Sequence, residues 1–186
     1  MVKNKQKHDI FKPKNSWSLN NRIRKWLQDP KKIFGKYIKS GMVVLDIGCG
    51  PGLYSIEMSK MVGDKGKVIA ADIQKKMLDM LGKSIKKTDF EKRINLVKSS
   101  TKNINVKKKI DFALAFYVLH EVKNKERFLK QLKKIMKPKT KLLIIEPRFQ
   151  VSLNEFEENI GLAKDLGFKV KDRPYVLLSR SAVLVK

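Results

Sequence analysis

Cysteine is almost missing from this 186-residue chain: Cys49 is the only one. An internal disulfide and a multi-cysteine zinc site are therefore excluded, and a reducing, cytoplasmic setting is expected. Histidine is nearly as scarce, at two residues, His8 and His120. No run approaches the ~18 apolar residues that a membrane-spanning helix requires. The first residues, Met1 to Lys14, are polar and lysine-dotted, without the apolar core of a secretory signal. Internal repeats and low-complexity linkers are also lacking. Acidic residues are few, 18 against 43 basic ones, for a formal net charge of +25. Arginine is scarce within that surplus, 7 against 36 lysines. Lysine is a solvated point charge, whereas arginine is the residue suited to bidentate recognition of phosphates and bases. The charge alone thus fits a compositional bias as well as a polyanion-binding face. Segments 1–39, 83–109 and 123–141 hold nearly all of the excess.

A hydrophobic fraction of 42% suffices for one folded domain. A helix is predicted over Asp29–Ile38, with Asp29 as N-cap and Pro30 in its first turn. From Val43 onward, short apolar runs alternate with amphipathic segments. Strands are predicted at Val43–Ile47, Lys67–Asp72, Ile94–Val97, Ile110–Phe116, Lys141–Glu146, Phe168–Lys171 and Ala182–Val185. Helices are predicted at Leu53–Val62, Gln74–Lys87, Lys125–Met136 and Ser152–Leu166, the last opening on a Ser152/Glu155 capping box. Strands without in/out alternation are buried on both faces, and strand–helix alternation with such strands means a doubly wound α/β sheet. A ligand is then expected beyond the carboxyl ends of the strands, where the strand order reverses.

The first strand runs into Asp46, Ile47, Gly48, Cys49, Gly50, Pro51 and Gly52. Glycines at alternate positions permit a tight turn and close approach of a ligand to the backbone. The spacing is G-x-G-x-G. It is neither the dinucleotide G-x-G-x-x-G nor a P-loop, since no G-K-[ST] follows. Asp72 ends the second strand 20 residues beyond Gly52. A carboxylate there can accept hydrogen bonds from both hydroxyls of a ribose.

These residues resemble the class I S-adenosylmethionine-dependent methyltransferases, over roughly residues 40–186. Val44–Gly52 (VLDIGCGPG) is similar to that family's first motif, and Lys67–Asp72 (KVIAAD) to its second strand with the ribose-binding acid. Ile110–Val122 is similar to the fourth strand and following loop of the small-molecule subgroup. Lys133–Thr140 resembles the turn before the fifth strand, and Gly167–Phe168 the approach to the last hairpin. The resemblance implies a seven-stranded sheet of order 3-2-1-4-5-7-6 with strand 7 antiparallel and helices on both faces. It also implies an enzyme using S-adenosylmethionine, bound by Asp46, Gly48, Cys49, Gly50, Gly52, Asp72, Ile73, Ser99, Ser100 and Phe116. Ser100 stands where the family commonly has an acid for the adenine amino group.

Methyl transfer from a sulfonium is an in-line displacement that depends on alignment and desolvation more than on acid–base groups. His120 and Tyr117, after the fourth strand, are the candidate catalytic residues. His120 is a candidate general base or a rim residue, and Cys49 packs in the glycine turn rather than serving as a nucleophile. Arg148, Arg173 and Arg180 are either an anion site or ordinary surface. Residues 1–40 are expected to form a basic extension or lid, with Trp17 and Trp26 in it, over a methyltransferase domain at 41–186. A small-molecule acceptor is expected from the Phe116–Val122 sequence. RNA is the alternative acceptor, and a cofactor-binding protein without transfer activity is the third reading.

Overall fold

The computed structural model describes residues 28–186. Predictions that fall on residues 1–27, including Trp17 and Trp26, lie outside the described residues. Seven strands form one sheet: β1 (Val43–Ile47), β2 (Lys67–Asp72), β3 (Ile94–Lys98), β4 (Ile110–Phe116), β5 (Met136–Pro147), β6 (Lys169–Asp172) and β7 (Ser179–Val185). Their order is β3-β2-β1-β4-β5-β7-β6, as implied by the family resemblance. The first five pair in parallel, while β7 runs antiparallel to both β5 and β6.

Side chains of the central strands alternate between two cores. Val44, Val68, Ala70, Phe112, Leu114 and Leu143 face one, against helices α1 (Pro30–Phe34), α2 (Leu53–Val62) and α3 (Lys75–Ile85). Leu45, Ile69, Ala113, Ala115, Leu142 and Ile144 face the other, against α4 (Lys125–Ile135) and α5 (Leu153–Asp165). Both faces are covered, which is why these strands read as nearly continuous apolar runs. Strand order reverses between β2-β1 and β4-β5, so the loops after β1 and β4 part there and leave a crevice at the carboxyl ends.

Several boundaries differ from those read in the sequence. The helix expected over Asp29–Ile38 is α-helical only to Phe34 and tightens to a 3-10 turn at Gly35–Tyr37. Its predicted cap is present, the Asp29 carboxylate accepting from Lys31 N at 2.9 Å. Strand β5 starts at Met136 rather than Lys141, because Met136 already pairs with Ile110. The ladder is irregular there, and Lys139 lies at φ +63°. Strand β7 starts at Ser179 rather than Ala182, paired to Pro147. Ser152 caps α5, its Oγ accepting from Glu155 N at 3.1 Å. The Glu155 carboxylate instead receives Lys125 Nζ, so the capping box is half formed.

Candidate active site

The loop after β1 folds tightly against its neighbours. Gly48 and Cys49 donate their N–H groups to Ala71 O at the end of β2. Gly52 sits at φ +94° as the N-cap of α2. A Cβ there would lie 2.2 Å from Leu81 Cδ1. Gly50 has φ +53°, and a Cβ there would meet nothing within 4 Å, so its backbone borders open space.

Asp72 ties this loop to β2 and α3. Its Oδ2 accepts from Gly50 N at 2.9 Å and its Oδ1 from Gln74 N at 2.7 Å. Beside it Ile73 is a large apolar residue left exposed. Asp46 is fully buried under the loop and accepts from the Ser55 hydroxyl at 2.6 Å. Desolvation pushes its carboxyl up to about 7; the Ser55 bonds oppose that shift and the Asp72 charge adds to it. Burial, followed by the charges of Asp46 and Asp72, pushes the Cys49 thiol far up. A thiol held protonated is a poor nucleophile, which accords with a packing role.

Ser99 is buried, donates its hydroxyl to Ile104 O at 2.9 Å, and donates its N–H to Asp72 O. The Ser100 hydroxyl organises its own turn, accepting from Asn103 N at 3.0 Å and Lys102 N at 3.3 Å. Phe116, at the end of β4, packs between Tyr54 and Tyr117, with ring centroids at 4.3 and 4.5 Å. Tyr117 follows at φ +59°, a left-handed backbone that few non-glycine residues adopt. Its hydroxyl bonds Ser179 Oγ at 2.7 Å and receives Gln28 Nε2 at 3.0 Å.

Two functional candidates escaped the sequence reading. Gln28 is buried, and its amide also donates to Leu177 O at 3.1 Å, so the chain joins the mouth of the crevice at that point. Glu146, at the end of β5, is wholly buried and accepts from three main-chain N–H groups of residues 118–120 and from the His120 ring. Burial pulls the His120 pKa down, but its bond to Glu146 and the charges of Glu146, Glu121 and Glu155 outweigh this and raise it. Burial raises Glu121, with the charges of Asp72 and Glu146 adding and His120 opposing.

The three arginines do not form one anion site. Arg173 is paired bidentately with Glu157, while Arg148 and Arg180 donate to Ser179 O and Val151 O. Cationic charge gathers elsewhere. Lys109 and Lys186 donate to Lys134 O and Met136 O, at the amino ends of β4 and β5, away from the crevice. Burial, then the nearby charges of Lys109 and Lys133, lower the Lys186 pKa.

In a chain of net charge +25, the crevice thus gathers three carboxylates, Asp46, Asp72 and Glu121, while Glu146 lies buried behind the His120 turn. This donor set fits a cationic nucleoside. It offers negative charge for a sulfonium and an ammonium, acceptors for ribose hydroxyls, an exposed apolar residue for a base, and an open glycine backbone for the remainder.

Comparison with known proteins agrees with this chemistry. A family model described as a methyltransferase domain matches residues 38–172. A demethylmenaquinone methyltransferase of Lactobacillus johnsonii is 31% identical over 188 aligned residues, covering 94% of this chain and 77% of that protein. A ubiquinone/menaquinone biosynthesis C-methyltransferase of Blochmanniella pennsylvanica is 28% identical, over 64% of this chain and 48% of that one. The chain thus spans about half the length of the second relative. The crystal structure of a SAM-dependent methyltransferase from Aquifex aeolicus superposes with a TM-score of 0.83 at 30% identity, covering 94% of this chain and 98% of that one.

Proposed function

The chain belongs to the S-adenosylmethionine-dependent methyltransferase family, and on that premise we propose that it methylates a small aromatic acceptor bearing a ring hydroxyl, of the hydroquinone type. S-adenosylmethionine supplies an electrophilic methyl on a positively charged sulfur. Asp72 would hold the ribose, Ile73 would lie against the adenine, and Gly48, Gly50 and Gly52 would cradle the amino-acid tail at the start of α2. Asp46 would hold the loop through Ser55 and face the ammonium. Ser99 and Phe116 would border the adenosine. The acceptor would sit over Tyr117 and His120, where the aromatic wall of Tyr54, Phe116 and Tyr117 excludes water. The setting proposed is cytoplasmic; among the described residues no helix is long and apolar enough to cross a membrane.

The observation that carries this reading is the opposition of charge. Asp46, Asp72 and Glu121 gather about the loops at the carboxyl ends of the strands, while Lys109, Lys133 and Lys186 gather at the amino ends of β4 and β5; Lys98, bonded to Ile73 O, is a cation on the crevice side. A phosphate backbone would be repelled where the chemistry occurs, which favours a small acceptor over RNA. The deciding experiment offers methyl-labelled cofactor to a demethylated hydroquinone and to bulk RNA. Label is expected in the hydroquinone, with little change between ~50 and ~200 mM salt. Label in RNA that collapses over the same range would overturn the reading.

A second expectation concerns Asp46. Its carboxyl is held protonated to about 7 in the free protein, while a neighbouring cation favours the ionised form. Binding of S-adenosylmethionine near pH 6 is therefore expected to release a proton. Calorimetry in buffers of different ionisation enthalpy measures this release, and Asp46→Asn should abolish it. The same shift sets a stability trend for the free protein. The folded carboxyl keeps its proton where the unfolded one, near 3.8, has lost it. Asp46 therefore costs stability progressively as pH rises from about 4 to about 7.

A further inference from the structure

We propose that Glu146 is a positioning residue that makes Nε2 of His120 the base for the acceptor's hydroxyl proton. This inference rests on the methyl-transfer reading above. Oε1 of Glu146 accepts from Val118 N at 3.1 Å and Leu119 N at 2.9 Å. Oε2 accepts from His120 N at 3.2 Å and meets His120 Nδ1 at 2.5 Å. Each oxygen therefore takes two hydrogen bonds, which uses its ordinary accepting capacity.

Two consequences follow. The three main-chain bonds fix the turn Leu119–Glu121 that carries the histidine. The fourth fixes the tautomer: a carboxylate can only accept, so Nδ1 must carry the hydrogen, and the lone pair of the neutral ring lies on Nε2. Nε2 has no hydrogen-bond partner among the described residues. The turn stands over the glycine loop, since a Cβ on Gly48 would lie 2.3 Å from Val118 Cγ2. Glu121, next to His120, feels the charge of Asp72 across the crevice.

In the step proposed, Nε2 bonds to the hydroxyl proton as the O–H bond breaks. The oxygen's electron pair is delivered through the ring to the carbon that forms the new C–CH₃ bond. The S–CH₃ bond breaks with its electron pair left on sulfur. The ring carbon then loses its own hydrogen as a proton to solvent, and the imidazolium returns its proton to the oxygen. One methyl is gained and one proton released.

The groups facing His120 are Glu146 from β5, Glu121 beside it, and Glu155 from α5, itself paired with Lys125 of α4. All three carboxylates favour the imidazolium. The base form therefore appears as pH rises, and removal of Glu146's charge must move that titration to lower pH.

The chain contains only His8 and His120, so a proton NMR titration shows two imidazoles, and His120→Gln assigns them. His120 is expected to titrate above the ordinary value of ~6.5, and Glu146→Gln is expected to lower its midpoint. The acid limb of kcat/KM should move with it, while affinity for S-adenosylhomocysteine stays within about twofold. His120→Gln leaves the three main-chain bonds of Glu146 in place and should lower kcat by ~100-fold and remove the limb. The proposal is overturned if His120 in the wild-type protein titrates at or below the ordinary value, or if His120→Gln keeps full turnover. Should Glu146→Gln not fold, those two measurements still decide. Failure of the wild-type protein to bind S-adenosylhomocysteine would instead remove the methyl-transfer reading and leave the titration result standing.

Discussion

Gly52→Ala is expected to cost about 3 kcal/mol of folding stability and to weaken S-adenosylhomocysteine binding by at least tenfold. Two separate penalties add at this position. The backbone lies at φ +94°, where a side chain costs ~1–2 kcal/mol. The new methyl would also fall 2.2 Å from Leu81 Cδ1 and 2.9 Å from its Cδ2 and Cγ. Leu81 is fully buried in the core that α3 shares with the sheet, so relief requires either a distorted rotamer or a shift of α3. Overpacking of that kind costs ~1–3 kcal/mol. Either route also displaces the first turn of α2, whose N–H groups border the crevice. Gly50→Ala is the informative contrast. Its φ of +53° lies within the left-handed region, and its Cβ would meet no protein atom within 4 Å. The stability loss there should stay near ~1 kcal/mol, while ligand binding still suffers from the group placed in the open cradle. Urea denaturation and calorimetry on both variants separate the two effects. Equal stability losses would show that contact with Leu81 is not what constrains Gly52.

The layered fold was legible because its cause is local and repeated. A strand buried on both faces must be almost wholly apolar, as Ile110–Phe116 is but for Asp111 at its partly exposed start, and the segments that cover it must carry an apolar stripe, as Lys125–Ile135 does. The tight turn of the glycine loop and the place of Asp72 beside it were legible for the same reason: both lie within one β-α-β unit. Glu146 was not. Its partners lie 26 to 28 residues earlier, and they become partners only because β4 and β5 are neighbours. One signal was present, since a carboxylate closing the apolar run of Lys141–Pro147 is costly to bury without several donors. Gln28 bonds across 89 residues to Tyr117 and 149 to Leu177, which no periodicity encodes. The early start of β5 was hidden by Pro138 and by Lys139 at positive φ, which read as a turn and prove to be an irregularity within the strand. The placement of the lysines was likewise a consequence of strand order. The end of segment 83–109 meets segment 123–141 because Ile110 and Met136 pair at the amino ends of β4 and β5, away from the crevice.

Asp72→Ala should weaken S-adenosylhomocysteine binding by about 3 kcal/mol, or more than a hundredfold. A ribose contact alone would cost less, because hydrogen bonds to a charged group contribute ~1.5–3 kcal/mol net. The larger figure follows from the second task of this carboxylate. It accepts from Gly50 N and Gln74 N, so it holds the glycine loop and caps the approach to α3 at once. Truncation leaves both N–H groups without their acceptor and frees the loop that the ligand must find ordered. Asp72→Asn tests the partition. Its carbonyl oxygen can still accept from one of these N–H groups, while its amide nitrogen faces the other as a second donor, so an intermediate loss is expected. Charge adds a further distinction. S-adenosylmethionine carries a positive sulfur that S-adenosylhomocysteine lacks, and Asp72 stands among carboxylates that include Asp46 and Glu121. Asp72→Asn should therefore weaken S-adenosylmethionine more than S-adenosylhomocysteine, by a margin that shrinks as salt is added. Equal losses for the two ligands would mean that the carboxylate acts through hydrogen bonds alone. An alanine variant that binds within threefold of wild type would remove Asp72 from the site.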